Sequence, residues 1–186
     1  MNNIGLIKSD ISLLNSDRYC KNVYENWFLG SRGRKVTLAR TTPDDMSLLY
    51  PEFQTKFEYT IPQIDINVVG DFNIFYDMQQ MRLDYYNKNA YDSYSYSNKQ
   101  YIYIKNLMAD NNKKILVIKN SFANVVTPFL ATQCRELEIL DVRQFTGSVR
   151  SFIKKHKPDI VIVLYHIGEL IIKVNYDTHK CSWDFR

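Results

Sequence analysis

KKILVIKNSFANVVTPFLATQCRELEILDVRQF, residues 113–145, is the stretch that decides the fold. Within it, KILVIKN (114–120) is a short apolar run rich in β-branched residues and reads as a buried strand. SFANVVTPFLATQC (121–134) places Val125, Phe129 and Leu130 on one helical stripe. Pro128 falls in the second turn of that helix, where a proline bends or shortens it. ELEILDV (136–142) is the next strand. Further out, SVRSFIKKHK (148–157) predicts a helix with Val149, Phe152 and Ile153 toward the core, ended by Pro158. Arg150, Lys154, Lys155 and Lys157 lie on or near its other face, a solvated basic surface. DIVIVLY (159–165) lacks polar alternation, as expected for a strand covered on both faces. Strand, helix, strand, helix, strand with short connections predicts an α/β fold: parallel strands, right-handed crossovers and helices on the sheet. The expected architecture is a three-layer, flavodoxin-like parallel sheet. ELIIKVNYD (169–177) reads as one more strand.

The half before residue 113 is polar, tyrosine-rich and broken by turn residues, so it predicts an irregular β-rich segment. KVTLA (35–39), FEYTIPQIDINVV (57–69) and FNIFYD (72–77) suggest strands, with Pro62 at a break and Gly70-Asp71 as a turn. Residues 85–105 hold seven tyrosines whose spacing follows neither the helix nor the strand period for long. They pack on the core with their hydroxyls at the surface, or they form a platform for sugar rings, and the first reading is preferred.

The whole is 186 residues, the size of one domain, and 45% of it is hydrophobic. A chain of this length covers roughly 70% of its unfolded surface on folding. With 24% charged residues and a net charge of +4, neither global disorder nor a nucleic-acid-binding surface is indicated. Three cysteines, Cys20, Cys134 and Cys181, exclude a fully paired disulfide scaffold and have no metal-ligand spacing. No glycine-rich phosphate loop is present, and no cofactor or metal is expected. The longest purely apolar stretch, Ile160 to Tyr165, is far short of the ~20 residues that span a bilayer. Residues 1–17 lack the features of a signal peptide, so the chain as written is expected in the cytoplasm, unless it is the trailing part of a longer exported protein.

In an open parallel sheet, ligands bind beyond the carboxyl ends of the strands. Asn120 and Ser121 stand at that place, ahead of the expected helix. A helix N-terminus offers backbone N–H groups and a positive dipole end, which suit an activated serine and its oxyanion. Position alone favours the plainer role of Ser121 as an N-cap.

Residues 113–145 also resemble the C-terminal part of the DHHW family of bacterial SGNH-hydrolase-like proteins, relatives of alginate O-acetyltransferase proteins of the AlgX/AlgJ type. The family pattern is a strand, Asp-Ser-Tyr or Asp-Ser-Phe, a small residue and Asn, then Pro-Phe-Leu, and later an Asp-x-Arg strand end. The matching positions are Asn120, Ser121, Phe122, Ala123, Asn124, Pro128, Phe129, Leu130, Asp141 and Arg143. FLGSRGR (28–34), PDDMSLLYPEFQTKF (43–57), NKNAYDSY (87–94) and IKN (104–106) agree in order, so the resemblance runs from about Trp27 to Tyr165. It implies an SGNH-type sheet and a serine nucleophile at Ser121. It further implies O-acyl transfer or ester hydrolysis on cell-envelope or extracellular carbohydrate, with an acyl ester as donor. It would place the protein outside the cytoplasm.

The sequence departs from that pattern twice. Asn120 stands where the family has Asp, and the family's upstream Asp-x-His is missing, because His156, His166 and His179 all follow Ser121. A hydroxyl without an adjacent base is a poor nucleophile. The expectation is therefore an incomplete or inactive chain, its base lying on a missing N-terminal portion or lost. Asp177-Thr178-His179 is a downstream substitute in the order used by ordinary SGNH enzymes, against the plainer reading of an exposed tail histidine. His166, at the end of the third strand, is topologically near Ser121. Gly30 is a candidate oxyanion donor or simply a turn glycine. Asn124 is either a pocket residue or a solvent-facing helix residue. Asp141 and Arg143 form a structural ion pair or line the cleft, and the former is preferred. The alternative function is a non-catalytic relative that binds an envelope glycan or a partner protein.

Overall fold

A computed structural model describes residues 10–166. The expected strand at 169–177 and the Asp177, His179 and Cys181 candidates lie outside the described residues. The strands are β1 (Tyr19–Phe28), β2 (Asp44–Pro51), β3 (Phe57–Ile61), β4 (Ile66–Gly70), β5 (Tyr101–Asn106), β6 (Lys114–Lys119), β7 (Glu136–Asp141) and β8 (Ile160–Leu164). The helices are α1 (Gly30–Val36), α2 (Thr127–Ala131) and α3 (Val149–His156). β1 and β2 make a two-stranded antiparallel ribbon. The other six strands form one sheet in the order β4-β3-β5-β7-β6-β8.

The three apolar runs read from the sequence are the parallel part of that sheet, with β6 between β7 and β8. β6 is buried from Ile115 through Lys119, as a central strand should be. The alternation of β7 sorts its side chains between two cores. Leu137 and Ile139 join a large one that also takes Ala131 of α2. Leu140 joins a smaller one on the opposite face, together with Val149 of α3. Ser148 caps α3 by accepting the Ser151 N–H, and Lys157 closes it in the left-handed region at φ 49°.

Several expectations are corrected. The sheet is mixed, because the N-terminal half adds β4, β3 and β5 as antiparallel strands to the same sheet. KVTLA is not a strand: Lys35 and Val36 end α1, and Thr37 stops it with φ 64°. FNIFYD is not a strand either. Asp71 accepts the Asn73 N–H and opens a 3-10 turn, Phe72–Phe75, which buries Phe72 and Phe75 at the i, i+3 spacing of such a turn. The helix expected over 121–134 is two pieces, a 3-10 turn at Ser121–Asn124 and then α2. Pro128 thereby falls in the first turn of α2, where no N–H is needed. The stripe of Val125, Phe129 and Leu130 does pack on the large core. β8 is covered on one face only, since Val161 and Val163 are 41% and 44% exposed at the sheet edge.

The large core is aromatic. Phe57, Tyr59, Phe72, Phe75 and Tyr76 are buried within it. Phe75 meets Phe57 at 4.9 Å, Tyr59 at 5.1 Å and Phe72 at 5.2 Å between ring centroids, mostly edge to face. Full burial of each of the three phenylalanines stabilises by ~1.5–3 kcal/mol. Tyrosine hydroxyls fasten the ribbon to this core: Tyr76 donates to the Leu49 carbonyl and Tyr94 to the Ser47 carbonyl, both on β2.

Candidate functional site

At the carboxyl end of β6 the chain turns sharply. The Asn120 backbone N–H reaches the Leu164 carbonyl of β8 at 3.4 Å. The Asn120 side chain, 1% exposed, accepts the Phe122 N–H at 3.1 Å. Asn120, not Ser121, is therefore the N-cap, and what it caps is a 3-10 turn. α2 starts only at Thr127, so no α-helix dipole is aimed at Ser121. Ser121 is half-buried, and its carbonyl accepts the Tyr91 hydroxyl at 2.8 Å. Among the described residues its own hydroxyl makes no hydrogen bond. The N–H groups of Phe122 and Ala123 are both held by Asn120, which keeps these two donors from an oxyanion while the turn stays as it is.

Beneath the turn lies a buried polar network that sequence reasoning missed. Lys119 and Asp141, neighbours across β6 and β7, both have fully buried side chains, 3.8 Å apart. Lys119 Nζ donates to Asn124 Oδ1 at 2.6 Å and to Asn98 Oδ1 at 3.3 Å. Asp141 takes two bonds from the Arg143 guanidinium, the structural pair expected from the sequence. Burial pushes the Lys119 ammonium down to about 8, with the Asp141 carboxylate opposing that shift. The legible signal was a charged residue, Lys119 or Asp141, directly after a run of apolar residues at the end of each strand. Asn124 is fully buried and holds Lys119, so it is neither solvent-facing nor turned to an open pocket.

The remaining candidates separate. Gly30 begins α1 at φ 68°, and a side chain there would meet Phe28 at 3.4 Å. That is the turn glycine, and none of these contacts links it to Ser121. Of the two described histidines, His156 lies against Glu138 on the α3 side of the sheet. His166 comes to the residue beside Ser121: its imidazole stacks on the Phe122 ring at 4.4 Å and 17°. Two cavities, about 480 Å³ beside Phe72 and about 560 Å³ between α3 and β8, contain neither Ser121 nor Phe122. Among the described residues no group of three or more His, Cys, Asp or Glu side chains could hold a metal ion. Cys20 is exposed, Cys134 buried, and both are free thiols. No helix there is long and apolar enough to cross a membrane.

No known family profile matches the chain, and no curated protein matches its sequence. Solved structures do match. Bacillus cereus PatB1 bearing a sulfonyl adduct aligns with TM-score 0.68 and 21% identity, covering 91% of this chain and 55% of PatB1. The chain shares its fold with PatB1. A second PatB1 structure gives TM-score 0.64 at 20% identity over 91% of this chain and 56% of PatB1. A DHHW family protein from Eubacterium siraeum gives 0.63 at 15%, covering 88% of this chain and 51% of that one. The chain thus spans about half the length of each. In this PatB1-like fold the ends of β6, β7 and β8 bring Ser121, Arg143 and His166 to one rim of the sheet.

Proposed function

We propose that this chain is the C-terminal part of a DHHW/PatB-type, SGNH-like serine O-acyltransferase or esterase. Its substrate would be carbohydrate of the cell envelope or the extracellular space, which implies a site of action outside the cytoplasm. The observation that carries this reading is Ser121 itself. It opens the turn at the carboxyl end of a central parallel strand, with a hydroxyl engaged by no described partner, in a fold shared with PatB1. PatB1 has been obtained as a sulfonyl adduct, and sulfonyl reagents form adducts with activated nucleophiles.

In the proposed reaction Ser121 Oγ attacks the acyl carbonyl of an ester while a base takes its proton. The tetrahedral intermediate then collapses, the ester C–O bond breaks, and the leaving oxygen takes the proton back. A sugar hydroxyl or water repeats the sequence on the acyl-enzyme. The base in this reading is His179 oriented by Asp177 or a group on a further part of a longer protein, both outside the described residues, or else His166 after it leaves its stack. The test is labelling of the purified chain with a fluorophosphonate, read by intact mass, beside Ser121→Ala. Stoichiometric labelling that disappears in the variant is expected of a self-sufficient serine. A folded chain that takes no label refutes catalysis by this chain alone and favours glycan binding, the second reading, to which the exposed Phe122 beside Ser121 already points.

A further inference from the structure

We infer that the Phe122 ring, backed by the His166 imidazole, is the shelf on which a pyranose ring of the carbohydrate lies next to Ser121. This rests on the reading of Ser121 as the acyl-transfer nucleophile and names the binding surface for its sugar. The tyrosine-rich stretch was the sequence candidate for such a platform, but tyrosines near the site have other tasks. Tyr94 is buried, and its hydroxyl holds β2. Tyr91 spends its hydroxyl on the Ser121 carbonyl. Phe122, in contrast, is 59% exposed, although it is a large apolar ring adjoining the candidate nucleophile.

Its pose is fixed rather than loose. Asn120 holds the Phe122 N–H, and the imidazole lies almost parallel to the ring at 4.4 Å. Two stacked rings make a flat surface and not a pocket. A flat surface suits a ligand with one apolar face and a polar perimeter. A pyranose is such a ligand: its C–H groups cover the aromatic face while its hydroxyls stay in water, and one of them is left beside Ser121. An acyl chain needs enclosure to bury its surface, and the cavities beside Phe72 and between α3 and β8 do not include Phe122.

Calorimetric titration of the 186-residue chain with chitopentaose, and separately with cellopentaose, tests this. The variants are Phe122→Ala, Phe122→Leu and Phe122→Trp, with thermal melts to show that each folds. Saturable binding by the wild type is expected, weakened about tenfold in Phe122→Ala, the change that follows from exposing about 60 Å² of ring. Phe122→Leu keeps an apolar side chain without the flat face and should weaken binding as much, while Phe122→Trp should retain it. Equal affinities in wild type, Phe122→Ala and Phe122→Leu overturn the inference, and so does a wild type that binds neither sugar. Fluorophosphonate labelling of the same wild-type sample separates the two readings. A labelled chain with no Phe122-dependent sugar binding removes the shelf alone. An unlabelled chain with Phe122-dependent binding removes the nucleophile and keeps the shelf.

Discussion

Replacing Lys119 by methionine keeps the chain length of a fully buried side chain and removes its charge. Two effects oppose each other. Burial holds the ammonium at about 8 against its ordinary 10.5, so keeping it charged in the fold at neutral pH costs on the order of 3 kcal/mol, which methionine recovers. Methionine also strips the donor from the buried Asn124 Oδ1, at about 1–3 kcal/mol for an acceptor left unpaired, while Asn98 Oδ1 keeps its bonds from Asn124 and Arg143. Asp141 keeps its two bonds from Arg143. Lys119→Met should therefore lie within about 2 kcal/mol of wild type at pH 7, below the ~3–5 kcal/mol usual for breaking a buried pair. The pH dependence is the sharper test. Below about pH 8 the lysine is charged in both states. Between about 8 and 10.5 the unfolded chain keeps a proton that the folded chain has released, so wild-type stability rises with pH. At pH 9 the wild type should have gained about 1–2 kcal/mol relative to the variant. The Cys134 thiol, pushed up to about 12 by burial, works in the opposite direction but is present in both proteins and cancels in the difference. Urea unfolding of both proteins from pH 6 to 9 measures this. A difference that is flat between pH 7 and 9, or that moves against the wild type, refutes the account of Lys119.

Two further predictions concern the core and the turn. Phe75→Ala, at a fully buried position in the aromatic cluster, should lower unfolding free energy by about 3–5 kcal/mol, and a loss below about 1 kcal/mol in urea would show that the cluster is not packed as described. Asn120→Ala should cost about 0.5–2 kcal/mol through the lost cap, while Asn120→Asp keeps the acceptor for the Phe122 N–H; equal destabilisation by both would show that the cap is not the reason for the residue.

The parallel half of the sheet was legible because its signals are local. β6 is a β-branched apolar run, and α3 carries its own cap and its own stop. The N-terminal half was not, because its elements depend on partners far away in sequence. β1, YCKNVYENWF, is largely solvent-exposed and pairs with β2 through a register irregularity near Asn26, so neither period survives in it. β5 was hidden among tyrosines, although Ile102 and Ile104 alternate with Tyr101 and Tyr103 in a strand period, and only the inward set is buried. The position of Ser121 at a strand end could be read, since strand and serine adjoin. Its surroundings could not. Asn98, Lys119 and Asp141 meet only once β6 and β7 are in register. The stack of His166 on Phe122 likewise requires β8 to lie beside β6.

The strand order also bears on how the chain reaches this state. β3 and β4 adjoin in sequence and can pair as soon as both exist, whereas β5 must find β3 across a long intervening segment and then accept β7 on its other edge. Pairings that close long loops form slowly, because chain entropy is lost before contacts repay it. The turn at Ser121 sits behind the last of them, tied to β8 through the Asn120 N–H and the Leu164 carbonyl. The serine is thus expected to reach its final setting late in folding, and proteolysis or hydrogen exchange at this turn should report loss of β8 before the antiparallel strands open.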